Sequence, residues 1–166
     1  MIVRGRVIKY GDDVDTDVII PARYLKHGSD PNVLRAHAME DLDPSFLEKA
    51  RERRIVVAGR NFGCGSSREQ AVLALKYAGI ELVIAESFSR IFFRNSITLG
   101  LPVIELPDAK LIGDGDYIEA DLEEGTVTIP ERGVKLEGTK LPDFMLEILR
   151  AGGLVPYVRG LRGCRG

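Results

Sequence analysis

The stretch Ile55-Val56-Val57-Ala58-Gly59-Arg60-Asn61-Phe62-Gly63-Cys64-Gly65-Ser66-Ser67-Arg68-Glu69-Gln70 changes texture twice. Its first four residues are apolar and mostly β-branched, which predicts a short buried strand. Glycines at 59, 63 and 65 let the backbone turn sharply and approach a ligand. Past them, Ala71, Ala74, Leu75 and Ala78 recur at helical spacing and Gly79 supplies a stop, so the spacing predicts a helix over 66–78. Ser66 and Glu69 have the spacing of a capping box at its start. A strand, a glycine turn and a helix in succession predict an α/β protein, and Glu81-Leu82-Val83-Ile84-Ala85 follows closely enough to pair in parallel with the first strand.

The turn carries more chemistry than a helix start requires. Ser66, Ser67 and Arg68 stand in a row on the glycine platform. Two hydroxyls, a guanidinium and several backbone N–H groups at the positive end of a helix make an anion site, and arginine can hold a carboxylate by two parallel hydrogen bonds. The bland alternative is a capped helix with no ligand at all. Two familiar phosphate motifs do not apply: no Lys follows the last glycine, and the glycine spacing is not that of a dinucleotide fingerprint.

Working outward, 166 residues with 45% hydrophobic composition suffice for one core and a single domain over 1–166. A net charge of −2 gives no electrostatic case for nucleic acid. The opening residues alternate charge with β-branched side chains, unlike a signal peptide. No run approaches the roughly 20 apolar residues of a membrane span, so the expectation is a soluble, cytoplasmic protein. Only Cys64 and Cys164, and only His27 and His37, are available as N/S ligands. That set builds neither an iron–sulfur cluster nor a four-ligand zinc site within the chain. Cys64 fits two roles, a thiol activated by the helix start or a small residue packed under the turn. A Cys64–Cys164 disulfide would be unusual in the cytosol outside hyperthermophiles.

The rest of the chain reads as alternating elements. Residues 1–8 suit a strand, and the acidic turn from Asp12 to Asp17 leads into Val18-Ile19-Ile20, read as a strand stopped by Pro21. The Asp spacing does not match a calcium loop. Ala22 to Pro31 reads as a surface loop, with Lys26 and His27 either solvated or lining an acidic ligand's pocket. Helices are expected over 32–39, 44–52 and 87–95, a strand over 101–105 and a hairpin from 117 to 129. A final helix opens at Pro142-Asp143 and closes at Gly152-Gly153, with Leu141, Phe144, Met145, Ile148 and Leu149 as its apolar face. The arginine-bearing segment after it is a tail.

Four blocks occur together and in order: Asp15-Thr16-Asp17 leading to Ile19-Ile20-Pro21; Tyr24-Leu25; Asn61-Phe62-Gly63-Cys64-Gly65-Ser66-Ser67-Arg68-Glu69; and Glu86-Ser87-Phe88 through Arg90-Ile91-Phe92 to Asn95. From about Val7 to Leu154 the chain thereby resembles the small subunits of the 3-isopropylmalate dehydratases and, more broadly, the swivelling domains of aconitases and homoaconitases. The resemblance implies an α/β swivelling domain with layered β/β/α architecture, a mostly parallel sheet, flanking helices and a hairpin-rich part. It also implies a hydro-lyase that moves a hydroxyl between adjacent carbons of a malate-type diacid in leucine biosynthesis. In that pattern Ser66 is the base that removes the proton beside a carboxylate, Arg68 clamps a carboxylate, Ser67 supports the site and Asp17 lies near it.

The resemblance further implies that the [4Fe-4S] cluster of such enzymes is carried by a large partner subunit, in a heterodimer or heterotetramer, so that this chain is inert alone. After Tyr24-Leu25 the family varies with substrate, and Lys26 stands where a residue would meet the distal part of the substrate. Isopropylmalate is the favoured substrate, homoaconitate the alternative. A non-catalytic carboxylate-binding module is the rival of another class.

Overall fold

The computed structural model describes residues 1–163. Seven strands form one sheet in the order β4-β3-β2-β1-β5-β6-β7. They are β1 (Ile2–Lys9), β2 (Ile55–Ala58), β3 (Leu82–Ala85), β4 (Val103–Glu105), β5 (Tyr117–Asp121), β6 (Thr126–Ile129) and β7 (Val134–Glu137). The first strand divides the sheet. Through Val7, Ile8 and Lys9 it pairs in parallel with β2, and through Ile2 to Arg6 it pairs antiparallel with β5. Burial follows this division: exposure alternates along Ile2–Arg6, whereas Val7 and Ile8 are both fully buried. An antiparallel sheet can leave one face to water, while parallel strands covered on both faces read as unbroken apolar runs. All four residues of β2 and of β3 are accordingly buried. The parallel half is β4-β3-β2-β1 and the antiparallel half runs from β1 through β5-β6-β7, so the α/β fold and its hairpin-rich part are as expected. The sheet is evenly mixed, three parallel and three antiparallel pairings, where a mostly parallel one was expected.

The helices are α1 (Thr16–Ile19), α2 (Pro31–His37), α3 (Phe46–Ala50), α4 (Glu69–Tyr77), α5 (Arg90–Leu99), α6 (Asp143–Ala151) and α7 (Leu154–Gly163). Helix α4 connects β2 to β3 and α5 connects β3 to β4, so each parallel strand releases the chain at the same edge. Alongside them, α2 packs on α4 and α5 on α6. Ala71, Val72, Ala74 and Leu75 turn the buried stripe of α4 inward, close to the spacing read from the sequence.

Four further expectations need correction. Val18-Ile19-Ile20 is not a strand: Asp15 caps a helical turn, accepting from Val18 N, and Ile20 N closes it on Thr16 O at 3.0 Å. The β-branched run is overruled because the preceding carboxylate supplies a local partner that an edge strand would not. Ala22–His27 is a 3-10 helix, its carbonyls satisfied locally. At the helix after Pro142, Leu141 and Leu149 are buried and Met145 and Ile148 pack on the core as expected, but Phe144 is 57% exposed and Leu146 is buried in its stead. Beyond it the chain is helix α7 and not a tail; strand β7 had also gone unread. The Cys64–Cys164 pairing lies outside the described residues. No helix among those described is long and apolar enough to cross a membrane.

Candidate active site

Ala58, Ala85 and Glu105 pair laterally at the carboxyl ends of β2, β3 and β4. Ligands of open α/β sheets gather at such ends, and the glycine loop leaves β2 there. Its shape is imposed from two sides. On one side the acidic segment clasps it: Asp13 N donates to Arg60 O (2.8 Å), Gly63 N to Val14 O (2.7 Å) and Thr16 N to Cys64 O (2.8 Å). Asp12 accepts from the backbone N of Arg60 at 2.7 Å and lies over Gly59, where an added Cβ would sit 1.9 Å from its carboxylate oxygen. On the other side, Asn61 N donates to Ser87 Oγ (2.8 Å), Phe62 N to Ser87 O (3.0 Å) and Ser89 N to Phe62 O (2.9 Å). Three of the four sequence blocks are therefore one object in space.

Two backbone positions are forced. Gly63 has φ +79°, and a Cβ there would fall 2.2 Å from Phe92 Cγ, inside the Phe62–Phe88–Phe92 cluster. Asn61 takes φ +60° and holds it with a side-chain bond from Nδ2 to Asp13 Oδ1 at 3.2 Å. Asparagine tolerates the left-handed region because its short polar side chain bonds locally.

The capping box does not form. Helix α4 starts at Glu69, with Arg68 at the cap position and extended (φ −80°, ψ 115°), and no side chain caps it. The reason is local. Arg68 N turns back to Ser66 O at 2.9 Å, and the Arg68 side chain is anchored away from the helix, Nη1 donating to Asp17 Oδ1 (3.0 Å) and to Ile20 O (3.3 Å). That turn keeps residues 66–68 out of the helix. In consequence Ser66 and Ser67 are exposed, and among the described residues the N–H groups of Gly65, Ser66 and Ser67 meet no acceptor of the chain. Unpaired N–H donors on an exposed loop ahead of a helix can stabilise an anion there.

Arg68 is the inner member of its pair, 19% exposed against 64% for Asp17. The Arg68 guanidinium, with help from Ala22 N, holds the Asp17 carboxyl below the usual carboxylate range. Both contacts of Arg68 use Nη1, and among the described residues the other guanidinium nitrogens have no partner. Burial pushes the Cys64 thiol up, and Asp15 and Asp13 push it further, so the thiolate is disfavoured. The packing role fits Cys64, the activated one does not.

Lys26 is exposed on the 3-10 helix and, among the described residues, forms no side-chain hydrogen bond or ion pair with the glycine loop. The segment that carries it is anchored at Tyr24, which stacks on His37 with ring centroids 3.7 Å apart. Glu40 accepts from Tyr24 OH, from His37 Nδ1 (2.7 Å) and from Arg23 Nη2 (2.7 Å). Burial alone would raise the Glu40 carboxyl; the bonds from Tyr24, His37 and Arg23 outweigh it and hold the group ionised. Sequence reading singled out Ser66, Ser67, Arg68 and Asp17, of which the structure joins Arg68 to Asp17 beside the exposed Ser66 and Ser67; it did not anticipate the contacts of Asp13, Asn61, Ser87, Phe92 or Glu40. Positive φ and long-range hydrogen bonds leave no periodic trace. Among the described residues no three His, Cys, Asp or Glu side chains converge as metal ligands. One cysteine among those residues does not fit a cluster that needs three or four thiolates.

Residues 20–109 match the model of the aconitase C-terminal domain. The 3-isopropylmalate dehydratase small subunit of Halothermothrix orenii is 54% identical over 161 residues, covering 96% of this chain and 97% of that one. The protein of the same name from Pyrobaculum islandicum is 53% identical, covering 98% and 100%. The crystal structure of 3-isopropylmalate dehydratase from Methanocaldococcus jannaschii superposes with a TM-score of 0.91 at 46% identity over the whole of both chains. With identity spread over nearly its full length and the aconitase C-terminal domain across its centre, the chain belongs to the 3-isopropylmalate dehydratase small-subunit family.

Proposed function

We propose that this chain is the small subunit of a 3-isopropylmalate dehydratase, a hydro-lyase of leucine biosynthesis that interconverts 2- and 3-isopropylmalate by loss and return of water. It acts as one cytoplasmic swivelling domain against a larger subunit that carries the [4Fe-4S] cluster. The observation that carries this reading is the clasped glycine loop, which presents Ser66 outward, uncommitted to capping, beside an arginine held by Asp17. Members of the family named for this reaction match the chain almost end to end.

Ser66 Oγ takes the proton from the carbon next to a substrate carboxylate and later returns it. A serine hydroxyl is a weak base at its free pKa, so its anion must be stabilised. The unpaired N–H groups from Gly65 to Ser67 and the field at the start of α4 supply that stabilisation. Arg68 grips a carboxylate with the fork edge that Asp17 leaves open, and Asp17 acts as its positioning residue. Ser67 donates a second hydroxyl to the same anion. Lys26 meets the distal part of the substrate when the large subunit closes on the 3-10 helix, laying its methylene stem along the isopropyl group. The described residues of this chain do not fit the cluster, so no proton step above runs through it.

The test is anaerobic reconstitution with the cluster-bearing subunit of the same organism, measuring turnover of isopropylmalate and homoaconitate side by side. Turnover of isopropylmalate with little of homoaconitate is expected. Preference for homoaconitate would reassign the substrate, and no turnover of either would leave only carboxylate binding.

A further inference from the structure

One step along the strand ends from the glycine loop, the structure has a half-open groove of about 310 Å³. Its floor is Phe88, Phe93, Leu141 and Met145, and Arg90 and Arg94 stand on α5 at its side. Exposed apolar residues adjoin the lining in sequence, Ile91 next to Arg90 at 48% and Phe144 next to Met145 at 57%. Elsewhere nine arginines, from Arg4 to Arg150, pair with carboxylates. Among the described residues Arg90 and Arg94, like Arg35 and Arg51, have no such partner, and only these two stand together on the lining of an apolar groove. The one acid of the groove, Glu105, is drawn to the backbone, accepting from Phe88 N at 3.3 Å. Two uncommitted guanidinium groups one helical turn apart over an aromatic and thioether floor describe the complement of a carboxylate next to an apolar side chain. Aromatic, Met and Arg side chains are the residues that carry binding energy at protein interfaces.

Position decides what covers it. Ala58, which leads into the Ser66 loop, pairs with Ala85, which pairs with Glu105 of the groove. Phe88 belongs to the groove and also packs on Phe62 of the loop, with centroids 6.0 Å apart. A subunit that closes on Ser66 therefore meets the groove along the same sheet edge. Resting on the reading above, we propose that the Arg90–Arg94 groove is a docking site for the large subunit and receives a segment that sets an acidic residue beside an apolar one.

The experiment compares wild type, the double variant Arg90→Glu/Arg94→Glu, and a control, Lys135→Glu, on the exposed edge strand β7. Affinity for the cluster-bearing subunit is measured by calorimetry at two salt concentrations, with circular dichroism melts to confirm folding. The double variant is expected to bind roughly tenfold more weakly or worse, with a shallower salt dependence, while the control binds as wild type. At saturating small subunit the kcat of the double variant should recover, because the Ser66 loop is untouched. Equal affinity of the double variant and wild type overturns the groove and leaves the functional reading standing. Equal weakening of the control and the double variant also overturns it, as it would report general steering only. Binding of isopropylmalate alone to wild type, lost in the double variant whose subunit affinity is unchanged, assigns the groove to a small carboxylate and overturns docking. If wild type neither binds nor activates the large subunit, the functional reading fails and the docking proposal with it.

Discussion

Asp17 and Arg68 form an ion pair whose value lies in orientation. An exposed pair contributes little to stability, with a median near 0–1 kcal/mol. Its geometry, however, pins Nη1 of Arg68 and so sets where the rest of the fork points. Asp17→Asn should therefore raise the KM of the reconstituted enzyme several-fold with a smaller change in kcat, and leave the melting temperature nearly unchanged; steady-state kinetics and a thermal melt check both. The carboxyl of Asp17 titrates lower in the folded chain than in the unfolded one, chiefly because Arg68 donates to it. Its small contribution is thus complete above the unfolded carboxylate value of about 3.9 and is lost only as pH falls below that range through the folded value. A carbon-13 NMR titration of the Asp17 carboxyl should show a midpoint below the usual range, returning towards it in Arg68→Ala. At Cys64 burial and two aspartates act against the thiolate. Alkylation by iodoacetamide near pH 8, followed peptide by peptide, should be slower than that of an unstructured cysteine peptide; faster labelling would revive the activated-thiol reading.

At the scale of elements, the glycine loop is held by its neighbours more than by its own propensity. Gly63 carries both a left-handed φ and the nearest approach to Phe92. Gly63→Ala should cost about 2–4 kcal/mol, combining backbone strain with overpacking of the aromatic cluster. A fall in the denaturant midpoint at constant slope would report it. Strands β2 and β3 and the buried stripe of α4 were legible because burial on both faces writes continuous apolar runs and α4 writes its helical period. What escaped reading was decided by contacts distant in sequence. The capping box of Ser66 and Glu69 has correct spacing, yet Arg68 is pulled to Asp17 and Ile20 and the helix begins later. Val18-Ile19-Ile20 has strand composition, yet Asp15 turns it into a helix against the loop. On α6, Phe144 and Leu146 compete for the core, and only the packing against α5 and α7 chooses Leu146.

For the whole molecule, the division of β1 explains how one chain combines a stable body with a presented edge. The antiparallel half closes one side of the sheet, and the parallel half delivers Gly59, Ser87 and Glu105 to a single edge. Along that edge lie first the loop that offers Ser66 and then the groove between Arg94 and Met145. The four sequence blocks made the first legible as a family resemblance. The groove escaped because its walls come from α5 and from the entry to α6, about fifty residues apart in the chain. The loop has unpaired N–H donors and an arginine held by Asp17, and among the described residues no three possible metal ligands converge.

The most direct measurement is the kcat of the reconstituted complex carrying Ser66→Ala, with affinity between the subunits determined on the same preparation. Loss of a positioned base costs about 10²–10⁴-fold in rate. A fall of that size in isopropylmalate turnover with unchanged subunit affinity is the predicted result, and kcat close to wild type would contradict the assignment of Ser66 as the base.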